Sequence, residues 1–197
     1  ELWMGKKKLT HDPWQYRGAS FSSSGKLAAS LSKGSGSDIY ILSGSGKIQS
    51  RITHGQGQNV SPTWSPDGSK LAFVSDRAGG PQVFVTGAGG GGAQRLTMAG
   101  SYNSTPHWGK NNLIVFAGMT STGSDIFTVD LSGNINRITQ DQGTNLDPCW
   151  SPDGRYIAFV SIRKGMGKKI WISSADGRWQ FPITERSGGY GTLRWGP

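Results

Sequence analysis

The chain has 197 residues, of which 31 are glycine, and its single cysteine, Cys149, excludes an internal disulfide. No run of 18 apolar residues occurs, so the sequence contains no ordinary membrane-spanning helix. The formal net charge is +9, but the lysines and arginines are scattered and form no basic stripe. We therefore expect solvated surface charge or an acidic protein partner, and no nucleic acid.

One short phrase recurs five times at a spacing of about 43 residues, and such a period is typical of β-propeller blades. Each copy carries one aromatic residue at the same point: Phe21, Trp64, Trp108, Trp150 and Trp195. A three-residue motif, which we call the triplet, ends 11 residues before each aromatic. It consists of Lys, Arg or Pro, then Leu or Ile, then Thr, and its threonines are Thr10, Thr53, Thr97, Thr139 and Thr184. The period predicts an all-β β-propeller built from four-stranded antiparallel blades.

In chain order, residues 1–4 and 8–10 predict the third and fourth strands of a partial blade. Four complete blades are predicted next, at about residues 19–53, 61–97, 105–139 and 147–184. Residues 192–195 predict the first strand of a further partial blade. We expect one partial propeller domain over residues 1–197, belonging to a six-bladed ring, with a strained five-bladed closure as the alternative.

The second repeat illustrates the local logic. Residues 65–68 are Ser-Pro-Asp-Gly, a sequence that favours a tight turn because proline fixes φ and glycine accepts positive φ. Residues 71–75 follow as a continuous apolar run, which is typical of a strand buried on both faces. Trp64 and its equivalents are expected to pack between neighbouring blades, where burial of each ring contributes roughly 2–3 kcal/mol.

Motifs that suggest cofactors or metals have simpler explanations here. The spaced glycines of residues 87–92 precede a predicted strand and not a helix, so they indicate a hairpin and not a dinucleotide site. His11, His54 and His107 occupy similar repeat positions, and a metal ring of three histidines is conceivable. Their repeat position explains them equally well, so we predict no metal, no cofactor and no catalytic residue.

The better functional candidates are the spacers between each triplet and the next aromatic, at residues 11–17, 54–60, 98–104, 140–146 and 185–191. Each repeat delivers one such spacer to the same rim of a propeller. Asn, Gln and Tyr are prominent in them, which favours adaptable hydrogen bonding around aromatic anchors. The spacers therefore predict a protein or peptide interface.

Several longer phrases, in the same order along the chain, resemble the C-terminal propeller of the TolB family. They include PTWSPDGSKLAF at residues 62–73, SDRAGGPQV at 75–83, AQRLT at 93–97, SADGR at 174–178 and the terminal WGP at 195–197. The resemblance implies a periplasmic, non-enzymatic scaffold of the Tol–Pal envelope system. It also implies that the sequence is a fragment lacking an N-terminal α/β domain and the first one to two blades.

The same resemblance implies a partner and a site. In the family, loops just before the inner strands form the channel mouth that binds the peptidoglycan-associated lipoprotein Pal, and other Tol proteins are further partners. Asn59, Val60 and Ser61 match those loops best, and repeat equivalence extends the set. The partner-binding residues implied are Tyr16, Arg17, Asn59, Val60, Ser61, Tyr102, Asn103, Asn145 and Tyr190.

Two alternatives remain open at this point. Similar repeats form the gating propeller of serine peptidases of the prolyl-oligopeptidase or tricorn kind, and flanking sequence would distinguish that case. A catalytic propeller that acts on glycans would need carboxylates clustered at the rim. The acidic residues available there are Asp12, Asp141, Asp147 and Glu185.

Overall fold

A computed structural model describes residues 2–4, 6–10, 13–32 and 34–195 of the chain. The regular elements of these residues are β-strands without a helix, as the all-β prediction requires. Within the same residues, accordingly, no helix could cross a membrane. The predictions that fall on Glu1, His11, Asp12, Gly196 and Pro197 lie outside the described residues. Contacts divide the chain into two compact units, Glu1–Arg95 and Leu96–Pro197.

The first unit contains a two-stranded ribbon and two four-stranded antiparallel sheets. The ribbon is formed by β1 (Trp3–Met4) and β2 (Lys7–Lys8). The first sheet is formed by β3 (Gln15–Phe21), β4 (Leu27–Ser32), β5 (Ser37–Leu42) and β6 (Ile48–Arg51). The second sheet is formed by β7 (Asn59–Trp64), β8 (Lys70–Ser75), β9 (Gln82–Gly87) and β10 (Gln94–Arg95). In each four-stranded sheet the strands are hydrogen-bonded in chain order, which is the up-and-down arrangement of a blade.

The second unit contains two further sets of four antiparallel strands. The third sheet is formed by β11 (Asn103–Trp108), β12 (Ile114–Thr120), β13 (Gly123–Val129) and β14 (Ile135–Arg137). The fourth sheet is formed by β15 (Thr144–Trp150), β16 (Tyr156–Arg163), β17 (Gly167–Ser174) and β18 (Gln180–Pro182). One parallel residue pair, Ser124 with Thr144, joins these two sheets.

The predicted Ser-Pro-Asp-Gly turn closes β7 onto β8. Gly68 has φ +70°, which glycine adopts without steric cost, and its N–H donates to the Ser65 carbonyl at 2.9 Å. The Asp67 carboxylate accepts from the Ser65 hydroxyl at 2.6 Å and from the Ser69 N–H at 3.0 Å. These bonds, the Ser65 hydroxyl first, lower the pKa of Asp67 to about 2. Asp67 therefore has a structural role in this turn.

Within each unit, neighbouring sheets pack through one inner-strand tryptophan. In the first unit Trp64 lies in a buried cluster with Ile39, Ile41, Ile52 and Phe73. Its indole N–H donates to the Ser20 carbonyl of the preceding sheet at 3.0 Å. Trp150 occupies the equivalent position in the second unit, among residues of the third and fourth sheets. Both rings therefore contribute apolar burial to their sheet-to-sheet contact, and Trp64 adds one specific hydrogen bond, whereas the buried Trp150 indole N–H has no hydrogen-bond partner among the described residues.

The prediction of a strand at residues 192–195 is wrong, because no described strand pairs with this segment. The segment nevertheless keeps two features of the inner strands. Thr192 has φ +52°, and the Trp195 indole N–H donates to the Cys149 carbonyl at 3.3 Å, as Trp64 does to Ser20. A strand is defined by its ladder partner, and the tryptophan alone does not supply one.

We predict that Trp64→Ala lowers the free energy of unfolding by about 3–5 kcal/mol, the usual sum of lost burial and a residual cavity. Phe21→Ala is the matched control, because Phe21 holds the same repeat position but is 49% exposed whereas Trp64 is 5% exposed. Urea denaturation followed by circular dichroism measures both. Similar small losses in the two variants would contradict this packing.

Candidate functional site

Each inner strand contains a bulge at the point where the spacer enters it. The residue three positions before the repeat aromatic has positive φ in all five copies: Gly18, Ser61, Thr105, Asp147 and Thr192. The four inner strands β3, β7, β11 and β15 shift register across this point. The bulge redirects the chain between spacer and sheet, and it decides which spacer side chains turn inward.

The positive-φ residues of successive repeats approach each other closely at two places. A Cβ added at Gly18 would lie only 3.1 Å from the Ser61 Cα atom, so glycine is required for this approach of β3 to β7. In the second unit the Thr192 N–H donates to Asp147 Oδ2 at 3.1 Å. Ser61 thus lies at a sheet-to-sheet contact and Asp147 at the contact of the fourth sheet with residues 192–195, both with their backbones at positive φ.

A buried polar network connects the first sheet to the second at the rim end. Thr53, from the triplet, donates its hydroxyl to Asp38 Oδ1 at 2.7 Å and accepts from the Ile39 N–H at 2.9 Å. Asn59 donates to Asp38 Oδ1 at 3.2 Å and to the Ser37 carbonyl at 3.1 Å. Arg51 completes the network through Asp38 Oδ2 at 2.5 Å.

The charge on Asp38 is stabilised by this network. Burial, the largest single influence, raises the pKa of Asp38, but hydrogen bonds from Thr53, Arg51 and the Gly55 N–H outweigh it and lower the pKa below its usual range. A carboxylate that accepts several hydrogen bonds is held in its ionised form. Asp38 is therefore a charged residue that connects the first sheet to the second, and it is not a candidate general acid.

The second unit repeats the network at the contact between the third and fourth sheets. Thr139 donates to Asp125 Oδ1 at 2.6 Å, and Asn145 donates to the same atom at 3.1 Å. Arg137 forms an ion pair with Asp125. Ser161 donates to Asn145 Oδ1 at 2.7 Å, so the amide is bonded at both ends. We call these two clusters the joint networks.

Burial and internal hydrogen bonds change the interpretation of three residues implied as partner-binding. Asn59, Asn103 and Asn145 have buried side chains. Asn59 also accepts from Arg77 at 2.7 Å, and Asn103 donates to the Ala99 carbonyl at 3.0 Å. Their amides are hydrogen-bonded within the chain, which indicates a structural role for these side chains, and their contact with a partner stays a prediction.

The other implied residues lie nearer the surface. In the first unit Arg17 is exposed, whereas Tyr16, Val60 and Ser61 are half-buried, and Tyr16 packs on the core of the first sheet. In the second unit Tyr102 is exposed, and Tyr190 is half-buried with its hydroxyl donating to the Arg186 carbonyl at 3.1 Å. These residues therefore form two sets, one in each compact unit.

The rim of the second unit is a continuous edge. Neighbouring strands are paired at this edge within both sheets. In the third sheet the pairs are Asn103 with Gly118 and Met119 with Ser124. In the fourth sheet they are Thr144 with Ile162 and Ile162 with Lys168. Ser124 pairs with Thr144, and the Lys168 N–H donates to the Ser187 hydroxyl, which joins these pairs into one row. We define this rim as residues 98–102, 119–123, 140–144, 162–168 and 185–191.

Five of the described apolar side chains on that rim are exposed, and of these only Tyr102 was named as a candidate from the sequence. Three of the four methionines of the chain lie there, with Met98 69% and Met119 53% exposed. The remaining exposed apolar side chains of the rim are Tyr102, Ile162 and Met166. The sequence contains one signal that could have indicated them: methionines occur in spacers and near hairpin tips, which are positions outside a core.

Several titratable side chains of the second unit are paired or buried. Asp141 is paired with Arg137 at 2.5 Å and accepts from Thr122 at 2.7 Å. Among the described residues no group of three His, Cys, Asp or Glu is placed to hold a metal ion. His107 lies in β11 and accepts at Nδ1 from the Trp150 N–H at 3.1 Å. Cys149 is buried, and this burial raises the pKa of its thiol to about 11, which leaves it unreactive.

Comparison with known proteins identifies the family. The model of the TolB beta propeller domain matches residues 5–197. The chain belongs to the TolB β-propeller family. The Tol-Pal system protein TolB of Bordetella pertussis is 32% identical over 157 residues, covering 77% of this chain and 35% of that protein. The chain therefore spans about a third of the length of this curated relative.

Solved structures agree with the family. The structure of TolB from Acinetobacter baumannii superposes with a TM-score of 0.72 at 27% identity, covering 87% of this chain and 44% of that one. A puromycin hydrolase superposes with a TM-score of 0.70, but at 16% identity over 93% of this chain and 31% of that one. At that identity the second likeness concerns the fold alone.

We predict that Asn59→Ala lowers the free energy of unfolding by about 2–3 kcal/mol, because it leaves buried hydrogen-bonding groups around Asp38 without their partner. Gln56→Ala, an exposed amide in the same spacer, is the matched control and should cost less than about 0.5 kcal/mol. Urea titration of both variants measures the difference, and equal effects would contradict the joint role of Asn59.

We also predict a stability change with pH that depends on His107. Burial lowers the pKa of His107 to about 4, whereas an unfolded histidine titrates near 6.5. The unfolded chain therefore binds the proton first, so acidification from about pH 6.5 to about pH 4 destabilises the fold by up to about 1.4 kcal/mol per pH unit. Above pH 6.5 His107 is neutral in both the folded and the unfolded chain, so it no longer makes the free energy of unfolding depend on pH.

His107→Asn keeps an acceptor near the Trp150 N–H but does not titrate, so thermal melting should lose most of this slope between pH 6.5 and 4.5. His54→Asn replaces an exposed histidine and should keep the slope. An unchanged slope in His107→Asn would show that the ring does not control it.

Proposed function

We propose that this chain is the propeller part of a TolB-type scaffold in the periplasm and binds the lipoprotein Pal without catalysing a reaction. The match of the TolB propeller domain to residues 5–197 carries the proposal. The relative from Bordetella pertussis bears the name of the Tol-Pal system, and the chain spans only part of that relative. Other Tol proteins are further partners under this proposal.

The rim of the second unit supports an interface as the working surface. Tyr102 and Met119 are neighbours there, since the Met119 N–H donates to the Tyr102 carbonyl at 2.9 Å, and Met98 begins the spacer that contains Tyr102. Exposed apolar residues grouped in this way are typical of protein interaction sites. Methionine side chains adapt their shape to a partner at low conformational cost.

Positive charge on the same rim favours an acidic partner. Lys164 and Arg186 are exposed, and Lys168 is half-buried. Lys169 stands where Asp38 and Asp125 stand in the joint networks, because the following Ile170 N–H donates to Thr184 as Ile39 does to Thr53. Replacement of the joint acid by lysine makes this part of the rim more basic, and complementary charge accelerates association.

The alternative of a gating propeller from a serine peptidase is supported only by likeness of fold. The puromycin hydrolase shares the fold at 16% identity, and no side chain of the described rim favours a peptidase. Flanking sequence remains the observation that would distinguish the two proposals.

We predict that the periplasmic domain of Pal binds this chain in isothermal titration calorimetry. The double change Met98→Ser and Met119→Ser should weaken binding about tenfold or more, which corresponds to about 1.4 kcal/mol. Leu131→Ser is the matched control, because Leu131 is also exposed but follows β13 at the opposite end of the sheet, and it should leave affinity unchanged.

Binding that is unaffected by the methionine changes would move the interface elsewhere. The absence of binding at tens of micromolar Pal would contradict the proposed function itself.

A further inference from the structure

An exposed strip of aromatic rings lies on the fourth sheet, at the end opposite the rim. Tyr156 begins β16, Trp179 precedes β18 and Phe181 lies within β18. The ring centroids of Trp179 and Phe181 are 5.4 Å apart with planes 17° from parallel, and Tyr156 lies 5.7 Å from Trp179. Trp179 is 41% exposed and Phe181 is 50% exposed. We call these three residues the aromatic strip.

Packing between sheets does not account for the strip. Where a following sheet is present within the same unit, the residue directly before the triplet threonine is buried, as Ile52 and Ile138 are. The residue two positions earlier is polar and exposed in both cases, namely Ser50 and Asn136. Phe181 holds that second position in the fourth sheet. An aromatic side chain at that position is therefore not needed for a neighbouring sheet to pack.

Paired charges border the strip and cancel each other. Arg155 forms an ion pair with Asp153 at 2.6 Å, and Arg178 forms one with Asp176 at 3.1 Å. All four side chains are substantially exposed. Two cations and two anions give this border no net charge, so it does not favour an anionic membrane surface or a charged polymer. Arg155 also lies over the Tyr156 ring, at 5.4 Å from its centroid.

The outer edge of β18 is poorly suited to an added strand. Pro182 lies in β18 and has no N–H to donate to a neighbouring strand. A ligand that binds at this strip is therefore expected to contact the exposed rings and not to pair with the strand backbone.

We infer that the aromatic strip binds a neutral polysaccharide chain. The C–H bonds on one face of a sugar ring carry partial positive charge, which the negative face of an aromatic ring attracts. Exposed carboxylate and guanidinium groups beside the rings can accept from and donate to sugar hydroxyls. Because Trp179 and Phe181 stack on each other, the outer, solvent-exposed surface of the pair would pack on a sugar ring, while Asp176 and Arg178 would bind its hydroxyls. This site is separate from the rim and does not depend on Pal binding.

Affinity electrophoresis of the whole chain tests the inference. Because the net charge is +9, the chain migrates toward the cathode in native gels cast with hydroxyethylcellulose, glycol chitin or dextran, or without polysaccharide. We expect at least one polysaccharide to retard the chain. Trp179→Ala and Phe181→Ser should each reduce the association constant about tenfold or more, which restores most of the mobility. Circular dichroism confirms that each variant remains folded.

Trp3→Ala is the matched control, because it removes an exposed tryptophan from the first unit and should leave the retardation intact. Unretarded migration in all three gels, or equal retardation of the strip variants and the original chain, would overturn the inference. Sedimentation velocity covers self-association. If Trp179→Ala dissociates a dimer and no gel retards the chain, the strip is a contact between copies and the polysaccharide site is refuted.

Discussion

The contact between one sheet and the next is the interaction on which the rest of this structure depends. A four-stranded sheet alone would leave both faces in water. Within each unit, a neighbouring sheet covers one face with an inner-strand tryptophan, and a joint network fixes the two sheets at the rim end. The apolar contact supplies most of the stabilisation, because it removes large rings from water. The network favours one relative orientation of the two sheets, because any other would leave a buried amide or carboxylate without its hydrogen-bond partner.

The joint networks also explain how the rim is divided between structure and function. Spacer side chains that precede the bulge, such as Asn59 and Asn145, turn inward and attach each spacer to the preceding sheet. Side chains farther from it, such as Met98, remain in solvent. A rigid spacer is thereby held at both ends while its middle stays available, which is the usual arrangement of binding loops on a firm scaffold. The fourth sheet departs from this pattern at Lys169 and Tyr190, where no acid–asparagine pair is present.

Much of the fold could be predicted from the sequence because its signals are local and repeated. Turn sequences, apolar runs and the recurring aromatic each act within a few residues, so the strands of the four sheets were recognisable. Residues 192–195 were predicted wrongly, since a strand also needs a partner that periodicity cannot supply. Asn59 was implied as a partner contact by the family resemblance, whereas its side chain is buried. Its burial depends on a bulge at Ser61 and on an aspartate 21 residues earlier, and neither is visible in a single spacer. The aromatic strip was missed for a related reason, since its rings come from two strands that only the sheet brings together.

Hydrogen–deuterium exchange of the chain, with and without the periplasmic domain of Pal, tests the central claim most directly. The account predicts slowed exchange at residues 98–102, 119–123 and 162–168, where apolar rim side chains would be covered. The joint segments, already protected by their internal hydrogen bonds, should change little. Protection confined to the opposite end of the sheets, or no change anywhere at saturating Pal, would contradict the assignment of the rim as the partner surface.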